Sequence, residues 1–190
     1  MISNEKSKYK SWSQLKKQMQ NLLCDSLKDR ISYFYTSYHQ VHNAYGRGAI
    51  QYCKQELAAF SWAEQIDQGK DIREQYRKME HVPTMWEDWE GSWRAYEAAC
   101  DAASRETWMP NGTLCNADFI NSVTIFLKTG IADALRSDNY LLRVFAYMDR
   151  RVGKRTLVKI REEVETLPEW VRQFYRLRCE AEGIAWDRPI

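Results

Sequence analysis

The stretch Ile31–Trp62, "ISYFYTSYHQVHNAYGRGAIQYCKQELAAFSW", decides the fold class. Everything around it reads as helix, so the chain is all-helical unless this segment forms a sheet. "ISYFYTSY" is dense in aromatic and β-branched residues and has no helix cap, which predicts a strand from Ile31 to about Tyr38. "VHNAYGRG" carries turn residues. "AIQYC" predicts a second strand, Ala49 to Cys53, and "LAAFSW" a third, Leu57 to Trp62. "KQE" turns the chain between them, although Lys-Gln is a poor two-residue hairpin loop. Three strands in sequence with short links imply an antiparallel meander. Such a sheet needs a cover on one face, and the segment before it is the nearest candidate.

That segment, "SWSQLKKQMQNLLCDSLKDR", opens with Ser11 and Gln14 at capping-box spacing. Trp12, Leu15, Met19, Leu22, Leu23 and Leu27 follow on one helical stripe. Residues 1–10 are polar and predict a disordered tail. After Ala63 no strand signal recurs. A weak helical stretch is interrupted at Gly69, Val82-Pro83 breaks the chain, and Thr84 with Glu87 repeats the capping-box spacing. Trp86, Trp89, Trp93, Tyr96, Cys100 and Ala103 then recur at three- and four-residue steps. "MPNGT" reads as a loop. Asn116 caps a helix bearing Phe119, Ile120, Val123, Phe126 and Leu127, with Gly130 just past its end. Ser137 or Asp138 caps the next, which Gly153 ends. Leu157, Ile160 and Val164 mark a short helix, and Leu167-Pro168 opens the last. The expected class is α+β: an N-terminal helix and three-stranded antiparallel meander packed against a C-terminal multi-helix region. Residues 11–190 read as a single domain, with helix and sheet over 11–62 and helices over 63–190.

The net charge of +2 does not by itself imply a polyanion partner, but its distribution is uneven. Residues 1–62 are net +5, residues 63–108 net −5, residues 109–140 near neutral and residues 141–190 net +3. Opposed blocks suit packing of segments at least as well as nucleic-acid binding. The N-terminus has no apolar run behind it and no stretch of about 18 apolar residues exists, so neither a secretory signal nor a membrane span is expected. Five scattered cysteines without a C-x-x-C pair suggest reduced, mostly buried thiols in a cytoplasmic protein.

Candidate sites are few. "DRRVGKRT", Asp149–Thr156, sets Arg150, Arg151, Lys154 and Arg155 around Gly153. It is no phosphate-binding P-loop: Met148 stands where that motif needs its first glycine, and a helix leads in. The preferred reading is an αα-hairpin in which Gly153 stops a helix in a left-handed conformation and the cations favour the helix dipole. The alternative is an anion or partner site at those four cations. His39, His42, Cys53 and His81 do not match metal-site spacing, so no metal is expected. No nucleophile elbow, Cys-His signature or glycine-rich dinucleotide loop is present, and no cofactor is implied. The tryptophan stripe reads as core or interface. On a helical wheel with Leu167 at zero, Arg178 falls at about 20°, mid-way across the apolar face of the last helix. A buried guanidinium needs an acceptor. Asp149, at the margin of the preceding helix's stripe, is the expected ion-pair partner.

"WSQLKKQMQNLLCDSLKDRISY" and "MDRRVGKRTL…VRQFYRLRCEAEG" resemble a family of small, uncharacterised bacterial cytosolic proteins with W-S-x-L-K-K, L-C-D-S-L and D-R-R-x-G-K-R motifs. Its Gly-Arg before a strand corresponds to Gly46-Arg47 and supports the second strand. The resemblance implies no established activity and transfers no catalytic residue. The expected function is therefore a non-enzymatic protein-interaction or regulatory module with a protein partner or self-association. The alternative, not favoured, is a nucleic-acid or phosphate-ligand binder using residues 150–155.

Overall fold

The computed structural model describes residues 11–37, 46–61 and 68–185. The expected tail 1–10, the ends of the first and third strands at Tyr38 and Trp62, and His39 and His42 lie outside the described residues.

The fold is α+β, as the 31–62 segment predicts. Helix α1 spans Trp12–Leu22. The Ser11 N–H donates to Gln14 Oε1 at 3.1 Å, satisfying one donor that the helix start leaves open. The expected stripe splits in two. Leu15 and Met19 are buried within the helix, whereas Leu23 and Leu27 are buried in the non-helical segment after it. The helix stops because Leu23 turns extended (φ −59°, ψ 141°) and bridges to Asp149. Trp12 and Leu22 are only partly buried.

Strands β1 (Ile31–Thr36), β2 (Arg47–Tyr52) and β3 (Gln55–Ser61) form one antiparallel sheet in that order. Tyr52 pairs directly with Gln55, so the β2–β3 turn is Cys53-Lys54 rather than "KQE". Both turn residues take positive φ, 48° and 70°, the backbone of a type I′ hairpin. A register shift after Ile50 absorbs one residue of β3.

The sheet's buried face carries Tyr33, Ile50 and Phe60, and it is covered by α1 and by α5 (Asn116–Phe126). Phe119 of α5 stacks on Phe60 with ring centres 5.2 Å apart. Gly48 makes this approach available: a Cβ there would stand 2.6 Å from the Phe119 ring.

The described helical region begins with α2 (Gln68–Arg77), which has Gly69 in its first turn, and α3 (Trp89–Ala103). Helix α3 starts at its Asp88 cap, where Gly91 N–H donates to Oδ1 at 3.0 Å. Thr84 and Glu87 do bond, at 2.9 Å, but they close only a turn. The chain continues helically through a π turn, Ser104–Trp108, into α4 (Met109–Asn111), so "MPNGT" is half helix. Gly112, at φ 72°, ends it. Short α6 (Ile131–Leu135) follows α5, a helix that the sequence pattern did not indicate, and Gly130 caps its start. Helix α7 (Tyr140–Met148) has Asn139 as its cap, one residue beyond the expected pair. Seven of its nine residues are buried, making it the central helix. Helices α8 (Lys154–Lys159), α9 (Arg161–Glu165) and α10 (Glu169–Ala181) complete the chain. Phe145 of α7 meets Tyr33, Phe119 and Phe126 at 5.5–6.0 Å, joining sheet and helices in one aromatic core. Among the described residues, no helix is long and apolar enough to cross a membrane.

Candidate functional site

The basic turn is a three-way joint. Cys24 N–H donates to the Met148 carbonyl at 3.0 Å, and Arg150 N–H to the Leu22 carbonyl at 2.8 Å. This bridge ends α1 and α7 at the same place. Gly153 does not stop α7. That helix ends at Met148, and Gly153, at φ −84° and ψ 166°, is the N-cap of α8.

The Asp149 carboxylate is wholly buried, and its partner is Arg151 rather than Arg178. Arg151 donates to it from the main chain at 2.8 Å and from the guanidinium at 2.7–3.1 Å. The same guanidinium lies 5.9 Å from the Phe126 ring centre. Bonding to Asp149 pushes the Arg151 pKa further up. Arg178 is buried, 3% exposed, as its place on the wheel requires. It donates to the Val152 carbonyl at 2.9 Å and pairs with Glu182, one turn on in its own chain direction, at 3.2 Å. The wheels missed this pairing because α7 ends before Asp149, which turns the carboxylate towards Arg151. Ser26 Oγ also donates to Glu182, at 2.9 Å.

Two of the four cations are thus occupied. Arg151 neutralises Asp149, and Lys154 donates to the Glu182 carbonyl at 2.7 Å, closing the end of α10. Arg150 and Arg155 are exposed, and no side-chain bond or ion pair to another described residue holds them.

A second candidate lies on the α2–α3 hairpin. Trp86 is 98% exposed, Trp89 60%, Trp93 51% and Tyr96 43%, with Met85 beside them. The lower half of the stripe behaves as expected for core: Ala103 is buried and Cys100 half-buried. The upper half faces solvent although α2 packs against α3, whose buried residues are Ala99 and Ala103 on the other side of the helix from Trp93. The hairpin is fixed at its far end. Trp108 Nε1 donates to Asp71 at 2.7 Å, while Gln75 and Lys78 both donate to Glu106. Tyr76 of α2 joins Met85, Trp89, Ser92, Trp93 and Tyr96 around a cavity of about 210 Å³. Spacing within α3 announces three of these residues, Trp89, Trp93 and Tyr96. Tyr76 belongs to another helix, and only the closed hairpin reveals it.

His81 is exposed, and among the described residues no cluster of three or more His, Cys, Asp or Glu could hold a metal ion.

The chain belongs to the SF0329 protein family, whose model matches residues 11–179 and so spans both the joint and the aromatic face. The family is uncharacterised, and the match assigns no activity. No curated protein and no solved structure matches the chain.

Proposed function

We propose that this member of the SF0329 family is a non-enzymatic protein-interaction or regulatory module of the bacterial cytoplasm, and that the exposed face of α3 is its contact surface. The observation that carries this reading is the solvent exposure of Trp89, Trp93 and Tyr96 on one face of α3, with Trp86 exposed just before the helix. Tryptophan and tyrosine left in water forfeit large hydrophobic areas, and they are the residues that dominate protein interfaces. Their helix is rigidly capped and tied to α2, so the surface is presented ready-formed.

The second reading, a phosphate or nucleic-acid contact at the basic turn, rests on the two exposed cations Arg150 and Arg155. Two cations give a shallow salt dependence, since each phosphate contact contributes only about one unit to the slope.

Affinity capture from the native host separates the two. A Trp89→Ser/Trp93→Ser variant is expected to lose the captured partner, and an Arg150→Ala/Arg155→Ala variant to keep it. The reverse pattern would transfer the contact to the turn.

A further inference from the structure

The aromatic face has a hole in it and carboxylates along one edge. The cavity of about 210 Å³ is walled by Tyr76, Trp89, Trp93 and Tyr96, with Met85 and Ser92 filling the gaps. It is smaller than the roughly 300–1,000 Å³ of sites that take a whole small ligand, and it suits a single side chain. With Trp89 at zero on the α3 wheel, Trp93 falls at about 40° and Tyr96 at about −20°, while Glu97, Glu90 and Asp101 follow at about 80–120°. A carboxylate flank therefore runs along one edge of the aromatic floor.

The flank is held in place. Trp93 Nε1 donates to Glu97 Oε1 at 3.0 Å, fixing that carboxylate at the ring edge and leaving the ring face open. Trp93 and Tyr96 stand 5.6 Å apart, tilted by 34°. Over residues 79–101, six carboxylates (Glu80, Glu87, Asp88, Glu90, Glu97, Asp101) meet one arginine, Arg94. Arg94 is already paired with Glu90 at 2.6 Å. The cations that follow Tyr76, Arg77 and Lys78, are paired with Glu74 and Glu106.

Charge and shape then select the occupant. A cation over an indole face is attracted by the ring quadrupole, and more so when water is excluded. A long aliphatic stem fits the apolar walls while its head reaches the carboxylates. An anion is repelled, and a neutral apolar group strips water from the carboxylates without replacing it. We infer that this pocket takes an arginine or lysine side chain from a basic segment of a partner protein. The inference rests on the interaction reading above and names the partner's chemistry.

The test is a titration of the full chain with a short peptide alternating arginine and glycine, followed through the indole N–H resonances. The control peptide carries citrulline, which keeps the shape and removes the charge. The arginine peptide is expected to shift the Trp89 and Trp93 signals saturably and to bind at least about tenfold tighter than the citrulline peptide. Trp93→Leu should weaken it about tenfold, and Glu97→Gln several-fold with a flatter salt dependence. Both variants should melt as wild type does, since neither site is buried. Equal binding of the citrulline peptide would overturn the cation selectivity. Arginine-peptide binding indifferent to Trp93→Leu would overturn the pocket. Absence of binding to either peptide at millimolar concentration would also overturn it. In that case, loss of the captured partner on Trp89→Ser/Trp93→Ser would leave the interaction reading standing alone, and retention would remove both.

Discussion

Leu23 and Asp149 pair as an isolated antiparallel bridge, and the two stretches on which the family resemblance rests meet at that pair. Asp149 takes its charge partner from within the turn, Arg151, while Arg178 comes up from α10 to hold the Val152 carbonyl and Glu182. Arg178→Ala would leave the buried Val152 carbonyl without its guanidinium donor and Glu182 with only Ser26 and Lys154 as partners, at a cost of about 3–5 kcal/mol. Arg151→Ala would strand a wholly buried carboxylate. Because Arg151 itself is partly exposed, water can reach the gap, and a smaller cost of about 2–3 kcal/mol is expected. Arg150→Ala should change stability by less than about 0.5 kcal/mol. Urea unfolding of the single variants and of an Arg178/Glu182 double variant checks this. The coupling between Arg178 and Glu182 should exceed that between Arg178 and Asp149. The opposite order would restore the pairing expected from the wheels.

Two glycines near these helices should respond in opposite ways. Gly153 has an ordinary extended backbone, open space where a Cβ would stand, and the N-cap position of α8. Gly153→Ser should therefore be neutral or stabilise by a few tenths of a kcal/mol. Gly112 has φ 72°, and its Cβ would stand 3.0 Å from the Trp170 indole. Gly112→Ala should cost more than about 1 kcal/mol. Thermal unfolding of the two variants side by side distinguishes a cap from a left-handed stop.

The sheet, most of the longer helices and the burial of Arg178 were legible because period and composition are local properties. What could not be read depended on contacts between distant segments. The end of α1 is one case: Leu23 and Leu27 keep helical spacing, yet the chain leaves the helix because the backbone at Met148–Arg150 captures it. The tryptophan stripe is another. Spacing puts Trp89, Trp93 and Tyr96 on one face of α3, but whether that face is covered depends on where α2 lies. Tyr76, the fourth aromatic ring of the cavity, carries no signal at all until the hairpin closes.

Stability should fall at alkaline pH. Burial, with Asp118 close by, pushes the Cys115 thiol up to about 11. Burial also pushes the Tyr147 phenol up to about 12 and raises Tyr33, where the Asp149 charge adds to the effect. Each group holds its proton more tightly folded than unfolded. Stability from this source is complete below the unfolded values, about 8.5 for cysteine and about 10 for tyrosine. It is lost as the pH climbs from there towards the folded ones. The urea midpoint should hold steady from pH 7 to about 8.5 and decline beyond. Tyr33→Phe should lessen the decline above about pH 10. A flat profile to pH 11 would mean that these side chains ionise as easily folded as unfolded.

The last prediction concerns the Cys53-Lys54 turn. Cys53 is exposed, whereas Cys24, Cys115 and Cys179 are buried and Cys100 is half-buried. A thiol reagent at pH 7.5 should therefore modify Cys53 first, with the three buried cysteines following only on unfolding. The same two residues carry backbone strain, since neither cysteine nor lysine is suited to φ of 48° and 70°. A type I′ turn favours Asn-Gly. Cys53→Asn/Lys54→Gly should remove the fast-reacting thiol and stabilise the chain by about 1 kcal/mol. Peptide mapping after a brief pulse of reagent identifies the reactive site, and melting of the double variant measures the strain. A variant that loses the fast thiol but melts lower than wild type would show that the turn is not the left-handed pair described above. The turn between Tyr52 and Gln55 would then need revision, towards a type II′ backbone or a longer loop.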